Sequence, residues 1–249
     1  MNTTDYFTER RTCRSFLDKP LTDELLDDML SRAAHAPTTG NMQLYSVIVT
    51  RDEACRKALA ECHFNQPAAT GAPVLLTFCA DFARFCRWCH LSEAAPGYDN
   101  LQGLTTAMLD AVILTQQFNT IAEMEGLGCC YLGTTTYTAP KIATLLKLPP
   151  MVVPVCTLAV GWPAKVAEDC GRIPASAFIH RETYRNDSDS DILGHYAEKE
   201  AREDSKQFCA ENSKEHLAQV FTDVRYTREM MESFSVVWRD FLTAAGFKI

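Results

Sequence analysis

The sequence predicts a chain of mixed helices and strands built on a covered sheet. Three observations carry this. Helical and strand patterns alternate as far as Pro163. The run APVLLTFCAD (72–81) is apolar almost without a break, which suits a strand buried on both faces. The pattern from 101 to 125 is apolar on more than one side, which suits a central, mostly buried helix.

The elements follow in order. LTDELLDDMLSRAAHA (21–36) predicts a helix: Thr22 can cap it, acids fill its first turn, and Leu25, Leu26, Met29, Leu30 and Ala33 form its stripe. LYSVIVTRD (44–52) predicts a strand, EACRKALAECH (53–63) a short helix, and 72–81 the second strand. After the break at PGYD (96–99) comes the long helix, which Gly126 and Gly128 stop. CCYLG (129–133) predicts a strand, APKIATLLKL (139–148) a helix, and VPVCTLAVGWP (153–163) a strand ended by proline. The segment 185–207 is acidic and polar with little to bury, whereas 226–247 is amphipathic again, with Met230, Phe234, Val237, Trp238, Phe241 and Leu242 on one stripe. That last helix must dock on its own subunit or on a partner.

Composition narrows the function. With 249 residues, 47% of them hydrophobic, the chain fits one large domain or two small ones. A net charge of −8 argues against nucleic acid as a partner, because such affinity comes mostly from neutralised phosphates. MNTTDYFTER lacks the basic segment and apolar run of a signal peptide, and no apolar stretch is as long as a membrane span. The expectation is a cytoplasmic chain with no membrane partner. Its eleven cysteines are odd in number and read as reduced thiols; Cys79 and Cys156 sit in apolar runs as small hydrophobes.

Several motifs could carry chemistry. In RRTCRSF (10–16), Arg10, Thr12 and Arg14 are spaced by two, so an extended segment would turn them to one side. Guanidinium groups and a hydroxyl suit a phosphate, and a solvated basic face paired with nearby acids is the plain alternative. APTTGNMQ (36–43) carries hydroxyls and amides able to bind a polar heterocycle, or it is an ordinary turn. GLGCCYLG (126–133) fails the dinucleotide fingerprint, since a helix precedes it and a strand follows. Its end at Gly133 could let a ligand approach closely. CRWCH (86–90) matches a haem-attachment pattern and would make the chain an electron carrier, against the absence of an export signal. GWPAKVAEDCGRIPAS (161–176) offers Lys165 and Arg172, as phosphate partners or as surface charges.

Taken together and in order, these segments resemble the FMN-dependent nitroreductase family, closest to its NADPH-dependent nitro/flavin reductase branch. RRTCRSF resembles the family's R-x-S-x-R-x-F motif and APTTGNMQ its A-P-S-S-x-N-x-Q loop. NQPAATGAPVLLTFCADFARF, GLGCCYLG and LLKLPPMVVPVCTLAVGWPA with RIPAS resemble later blocks, and FLTAAGF fits the C-terminal helix. The resemblance implies an α+β fold with a mixed central sheet flanked by helices, in an intertwined homodimer with FMN at the interface. It implies a core over 1–184 and a C-terminal helical extension over 185–249 that wraps the partner subunit.

By position, Arg10, Thr12 and Arg14 would hold the FMN phosphate, joined by Arg172; Arg11 is a further cofactor-binding candidate, and Lys165 could stand in for the family's usual lysine, at a different spacing. Thr38, Thr39, Asn41 and Gln43 would line the flavin from the other subunit. Gln66 would reach the ring, and Tyr131, Leu132 and Gly133 would pack near it. The implied chemistry is ping-pong hydride transfer from NADPH or NADH through the flavin to nitroaromatics, quinones or free flavin. Flavin N5 would carry it, with no catalytic side chain and no metal. Another FMN reaction, such as reductive dehalogenation, is the alternative. Two positions depart from the family pattern: Cys170 stands where a lysine is usual, and Leu44 where a proline is common. Lys214, Arg225 and Arg228 are the candidates for meeting the extra phosphate of NADPH.

Overall fold

The computed structural model describes residues 3–249, with side chains from Tyr6 onward. Its chain contacts divide into two units, one of residues 1–167 with 234–249 and the other of residues 168–233.

The first unit is built on four strands: β1 (Tyr45–Thr50), β2 (Val74–Asp81), β3 (Gly128–Leu132) and β4 (Val152–Gly161), in the order β1-β2-β4-β3. β2 is buried at every position, as its apolar run predicts. The expectation of a mixed sheet is corrected here, because every pairing among the described strands is antiparallel. The reason lies in the connections. Thr50, where β1 ends, pairs with Leu75, where β2 begins. The helices α3 (Glu53–Cys62) and α4 (Pro67–Gly71) therefore fill an excursion at one end of the sheet instead of crossing it.

The two faces of the sheet are covered differently. Leu76 and Phe78 of β2 and Leu158 and Val160 of β4 pack with α2 (Asp23–Ala33) and α6 (Leu101–Met124) through Leu26, Met29, Leu114 and Phe118. Farther along α6, Leu104, Ala107 and Ala111 meet Val153 and Val155 of β4 and the end of the last helix through Leu242 and Phe247. Leu75 and Ala159 point the other way, into Leu59 and Ala60 of α3, Ala68 and Ala69 of α4, and Ile142 of α7 (Ala139–Leu145). This alternation is the period of two that any strand imposes. Caps fix the helix starts: Thr22 Oγ1 accepts from Leu25 N–H at 3.2 Å, and Asn100 Oδ1 from Gly103 N–H at 2.9 Å. Three short helices of this unit are absent from the sequence expectation, α1 (Thr3–Glu9), α4 and α5 (Ala83–Leu91).

The second unit is helical, with α8 (Asp189–Ala201), α9 (Glu203–Glu211) and α10 (Leu217–Val220). The polar stretch 185–207, which has little to bury, thus folds into helices. A Ser188–Asp191 capping box starts α8, and Cys209, Leu217 and Val220 form a small apolar cluster. The last helix, α11 (Arg228–Ala244), starts in the second unit and returns to the first at Phe234. No helix among the described residues is long and apolar enough to cross a membrane.

Candidate functional site

The cationic N-terminal segment lies against the ends of β3 and β4. Cys13 N–H donates to Cys129 O at 3.0 Å, Leu17 N–H to Trp162 O at 2.8 Å, and Ala164 N–H to Ser15 O at 2.9 Å. Gly128 permits this approach: a Cβ there would stand 2.4 Å from the Cys13 Cβ. The segment's cations separate into two kinds. Arg10 is committed within the chain. Its Nε and Nη2 donate to the Glu123 carboxylate at 2.9 Å, and Tyr6 Oη donates to the same carboxylate at 2.6 Å. Burial and Glu123 push the Tyr6 phenol up to about 12. Arg11 Nη1 donates to the Thr8 and Arg10 carbonyls at 2.9 and 3.0 Å.

Arg14 differs. It is exposed, and its guanidinium meets no carboxylate or other acceptor among the described residues. Its charge reaches Cys130 on β3, where it partly offsets the burial that raises that thiol. The Thr12 hydroxyl two residues earlier makes no hydrogen bond among the described residues either. Lys165, just beyond β4, is exposed and shares with Arg10 and Arg11 the lining of a 540 Å³ cleft. Arg14 is not part of that cleft. Arg172 lies in the second unit, exposed, its Nη1 donating to Gly171 O at 2.6 Å. Cys170, at the usual lysine position, is exposed as well.

Beyond the far end of β3 the chain turns through Gly133 into a threonine-rich loop. A Cβ on Gly133 would meet no atom within 4 Å, so the backbone there borders open space. Thr134 follows, and its Oγ1 is met by Gln66 Nε2 at 3.3 Å and His63 Nδ1 at 2.9 Å. Tyr131 is partly exposed, with its Oη donating to Gln116 Oε1 at 3.2 Å, while Leu132 is buried. Burial raises the Tyr131 phenol well above its ordinary value.

The 38–43 loop is anchored by side chains outside its own motif. The Asp110 carboxylate, buried on α6, accepts from Thr39 N–H at 2.9 Å, Thr39 Oγ1–H at 3.2 Å and Leu44 N–H at 3.4 Å. Arg84 Nη2 donates to the carbonyls of Gln43 at 2.6 Å and Tyr45 at 2.9 Å. Gly40, Asn41 and Gln43 all take positive φ, a conformation that suits glycine and asparagine best. The result presents the Asn41 and Gln43 side chains to solvent, joined by a 3.4 Å contact, and leaves Thr39 turned to Asp110. An aspartate inside the run AMLDAVIL was the sequence signal for this anchor. In CRWCH, Cys89 is buried, Cys86 half-buried and His90 exposed on α5, so the pattern is spent in packing that helix.

The geometry defines a class: an α+β protein with exposed cations beside the start of β3 and the exit of β4, and with Gln66, Thr134 and an open glycine backbone beyond the far end of β3. A model of the nitroreductase family matches residues 7–162, and the chain belongs to that family. It is 32% identical to a Bacillus subtilis FMN reductase (NADPH) over 193 residues, 76% of each chain. It is 31% identical to an oxygen-insensitive NADPH nitroreductase of Salmonella typhimurium over 188 residues, again 76% of each. Among solved structures, a Bacteroides fragilis chain superposes with a TM-score of 0.97 at 46% identity, covering 98% of this chain and 100% of that one. Bacillus megaterium NfrA2 superposes at 0.86 with 29% identity, covering 100% and 99%.

Proposed function

We propose that this chain is an FMN-dependent oxidoreductase that takes hydride from NADPH or NADH and delivers electrons to small acceptors such as nitroaromatics, quinones or free flavin. The names of its relatives support FMN and a nicotinamide donor. The observation that carries the reading is the exposed Arg14 guanidinium beside β3, unpaired among the described residues, with open backbone at Gly133 where the strand ends.

The residues present fit the cofactor. Arg14 and the Thr12 hydroxyl supply an unspent cation and donor for a phosphate dianion. Lys165 adds charge at the β4 exit, and Arg172 joins this set on the sequence resemblance. Arg10 contributes by orienting the segment through Glu123, with part of its guanidinium edge left over for an anion. Gln66 and Tyr131 to Gly133 would border the ring. Bound FMN would supply the two-electron redox chemistry that no side chain here can perform.

The protein's own part is binding and orientation. Backbone N–H groups after β3 and the Gln66 carboxamide are donors suited to negative charge on a reduced ring. On the family resemblance the reaction would run in two halves, the spent nicotinamide leaving before the acceptor enters. The exposed loop of Thr38, Thr39, Asn41 and Gln43 would serve the site of a second copy, and residues 185–249 would embrace that copy.

The purified protein should be yellow, absorbing near ~450 nm, and should oxidise NADPH with a nitrofuran or quinone. Arg14→Ala combined with Arg172→Ala should give folded protein that purifies without flavin. Full FMN occupancy in that double variant would overturn the phosphate assignment. Flavin reduction by NADPH against NADH in stopped flow assigns the donor.

A further inference from the structure

The turn between α3 and α4 is unusual. Phe64 and Asn65 both adopt left-handed backbone, φ 55° and 50°. For a bulky residue such as phenylalanine this conformation is strained, and such strain concentrates at functional sites. Contacts on both sides hold it. Phe64 N–H donates to Glu61 O at 3.1 Å and Asn65 N–H to Ala60 O at 2.9 Å, while the Phe64 ring lies 6.4 Å from Phe234. Phe234 is itself stacked on Tyr137 at 4.2 Å. The product of this tight reversal is that His63 and Gln66, on either side of it, meet one atom, Thr134 Oγ1. Thr138 Oγ1 donates to Cys62 O at 2.7 Å and clamps the threonine loop to the same turn.

Hydrogen-bond accounting then assigns the protons. A threonine oxygen has one proton to give and two lone pairs. Gln66 Nε2 can only donate, so it occupies one lone pair. His63 is fully buried, and its Nε2 has no partner among the described residues. A buried N–H left without an acceptor costs more than a buried lone pair without a donor. The proton of the neutral ring therefore sits on Nδ1, which donates to Thr134 Oγ1 and fills the second lone pair. Burial alone lowers the ring's pKa to about 4, so the ring is neutral at pH 7. Thr134 Oγ1–H is left with no acceptor among the described residues, on a half-exposed residue next to the open backbone of Gly133.

We propose that Thr134 is a cofactor-binding residue whose hydroxyl proton is donated to an acceptor atom on the rim of the bound flavin ring, and that His63 is the positioning residue that forces this direction. The proposal rests on the FMN reading above and names a donor within it. Gln66 and His63 together turn a two-way hydroxyl into a one-way donor. His63 touches neither cofactor nor substrate and acts through Thr134.

The test uses the full-length protein stripped of flavin and titrated with FMN, following flavin fluorescence and the visible bands of the bound form. Thr134→Val should weaken FMN binding about tenfold and shift those bands, and Thr134→Ser should stay within about twofold of the parent. His63→Leu should behave as Thr134→Val does, and His63→Asn, whose amide N–H replaces Nδ1–H, should recover. The His63→Leu, Thr134→Val double variant should be no worse than either alone, because both remove one interaction. Circular dichroism verifies folding of each variant. Unchanged affinity and spectrum in Thr134→Val, or additive losses in the double variant, would overturn the proposal. If the parent protein takes up no FMN, the functional reading itself fails; if the parent binds and Thr134→Val binds equally well, only the hydroxyl assignment fails.

Discussion

His63 shows how one buried side chain ties stability to pH. Its pKa in the folded chain is about 4, against 6.5 for the free group, and desolvation is the cause. Between those values the unfolded chain binds a proton that the folded chain refuses. Stability is therefore full above pH ~6.5 and falls as pH is lowered through 4, by at most roughly 3 kcal/mol for this one group. Urea unfolding at pH 7.5 and pH 5 should show the decline, and His63→Leu should flatten it. An equal slope in the variant would assign the loss to other groups. Arg10 teaches a second lesson at this scale. Its spacing places it with Thr12 and Arg14, but spacing cannot reveal that Glu123, 113 positions away, takes up its guanidinium. Arg14 and Thr12 have no such partner among the described residues, and nothing in their spacing marks that difference.

At the scale of elements, the 38–43 loop depends on α6 more than on its own turn residues. Asp110→Ala removes the acceptor shared by Thr39 N–H, Thr39 Oγ1–H and Leu44 N–H. The variant should lose about 2 kcal/mol of stability, since buried donors are left without an acceptor. Amide exchange at Thr39 and Leu44 should speed up while the β2 amides stay protected; unchanged exchange at both would remove Asp110 from this role. The eight alternating helices and strands up to Pro163 were legible in the sequence, because each carries its own hydrophobic period and its own stop. The antiparallel course of the sheet was not, because alternation says nothing about which end of the sheet a connection returns to. Helices α8 and α9 were hidden for another reason: they carry little apolar surface and rely on caps and ion pairs such as Lys206–Glu203. Of the candidate site, motif order named Gln66, Tyr131 and Gly133, which lie at or next to the far end of β3. Thr134 and His63 were not named, since only the turn at Phe64 and Asn65 brings them together.

At the scale of the whole molecule, α6 leaves Leu101, Leu109, Val112 and Ile113 exposed on a helix that otherwise lies in the core. Isolated apolar residues on a surface are ordinary, but a row along one helix marks an interface. A second copy of the chain is the occupant that the proposed two-subunit site requires. Light scattering should give twice the 27.8 kDa chain mass, and replacing Val112 and Ile113 with aspartate should shift it towards one chain. A single-chain mass for the parent protein would refute the shared-site reading.

Ten of the eleven cysteine thiols are buried or half-covered, and Cys170 alone stands open. Thiols react as thiolates, and burial keeps Cys79, Cys129, Cys130 and Cys156 protonated. An enzyme that traffics in electrons would thus shelter its own oxidisable matter. One maleimide dye per chain would find its way to a single address without any engineering, giving the experimenter a ready-made optical tag.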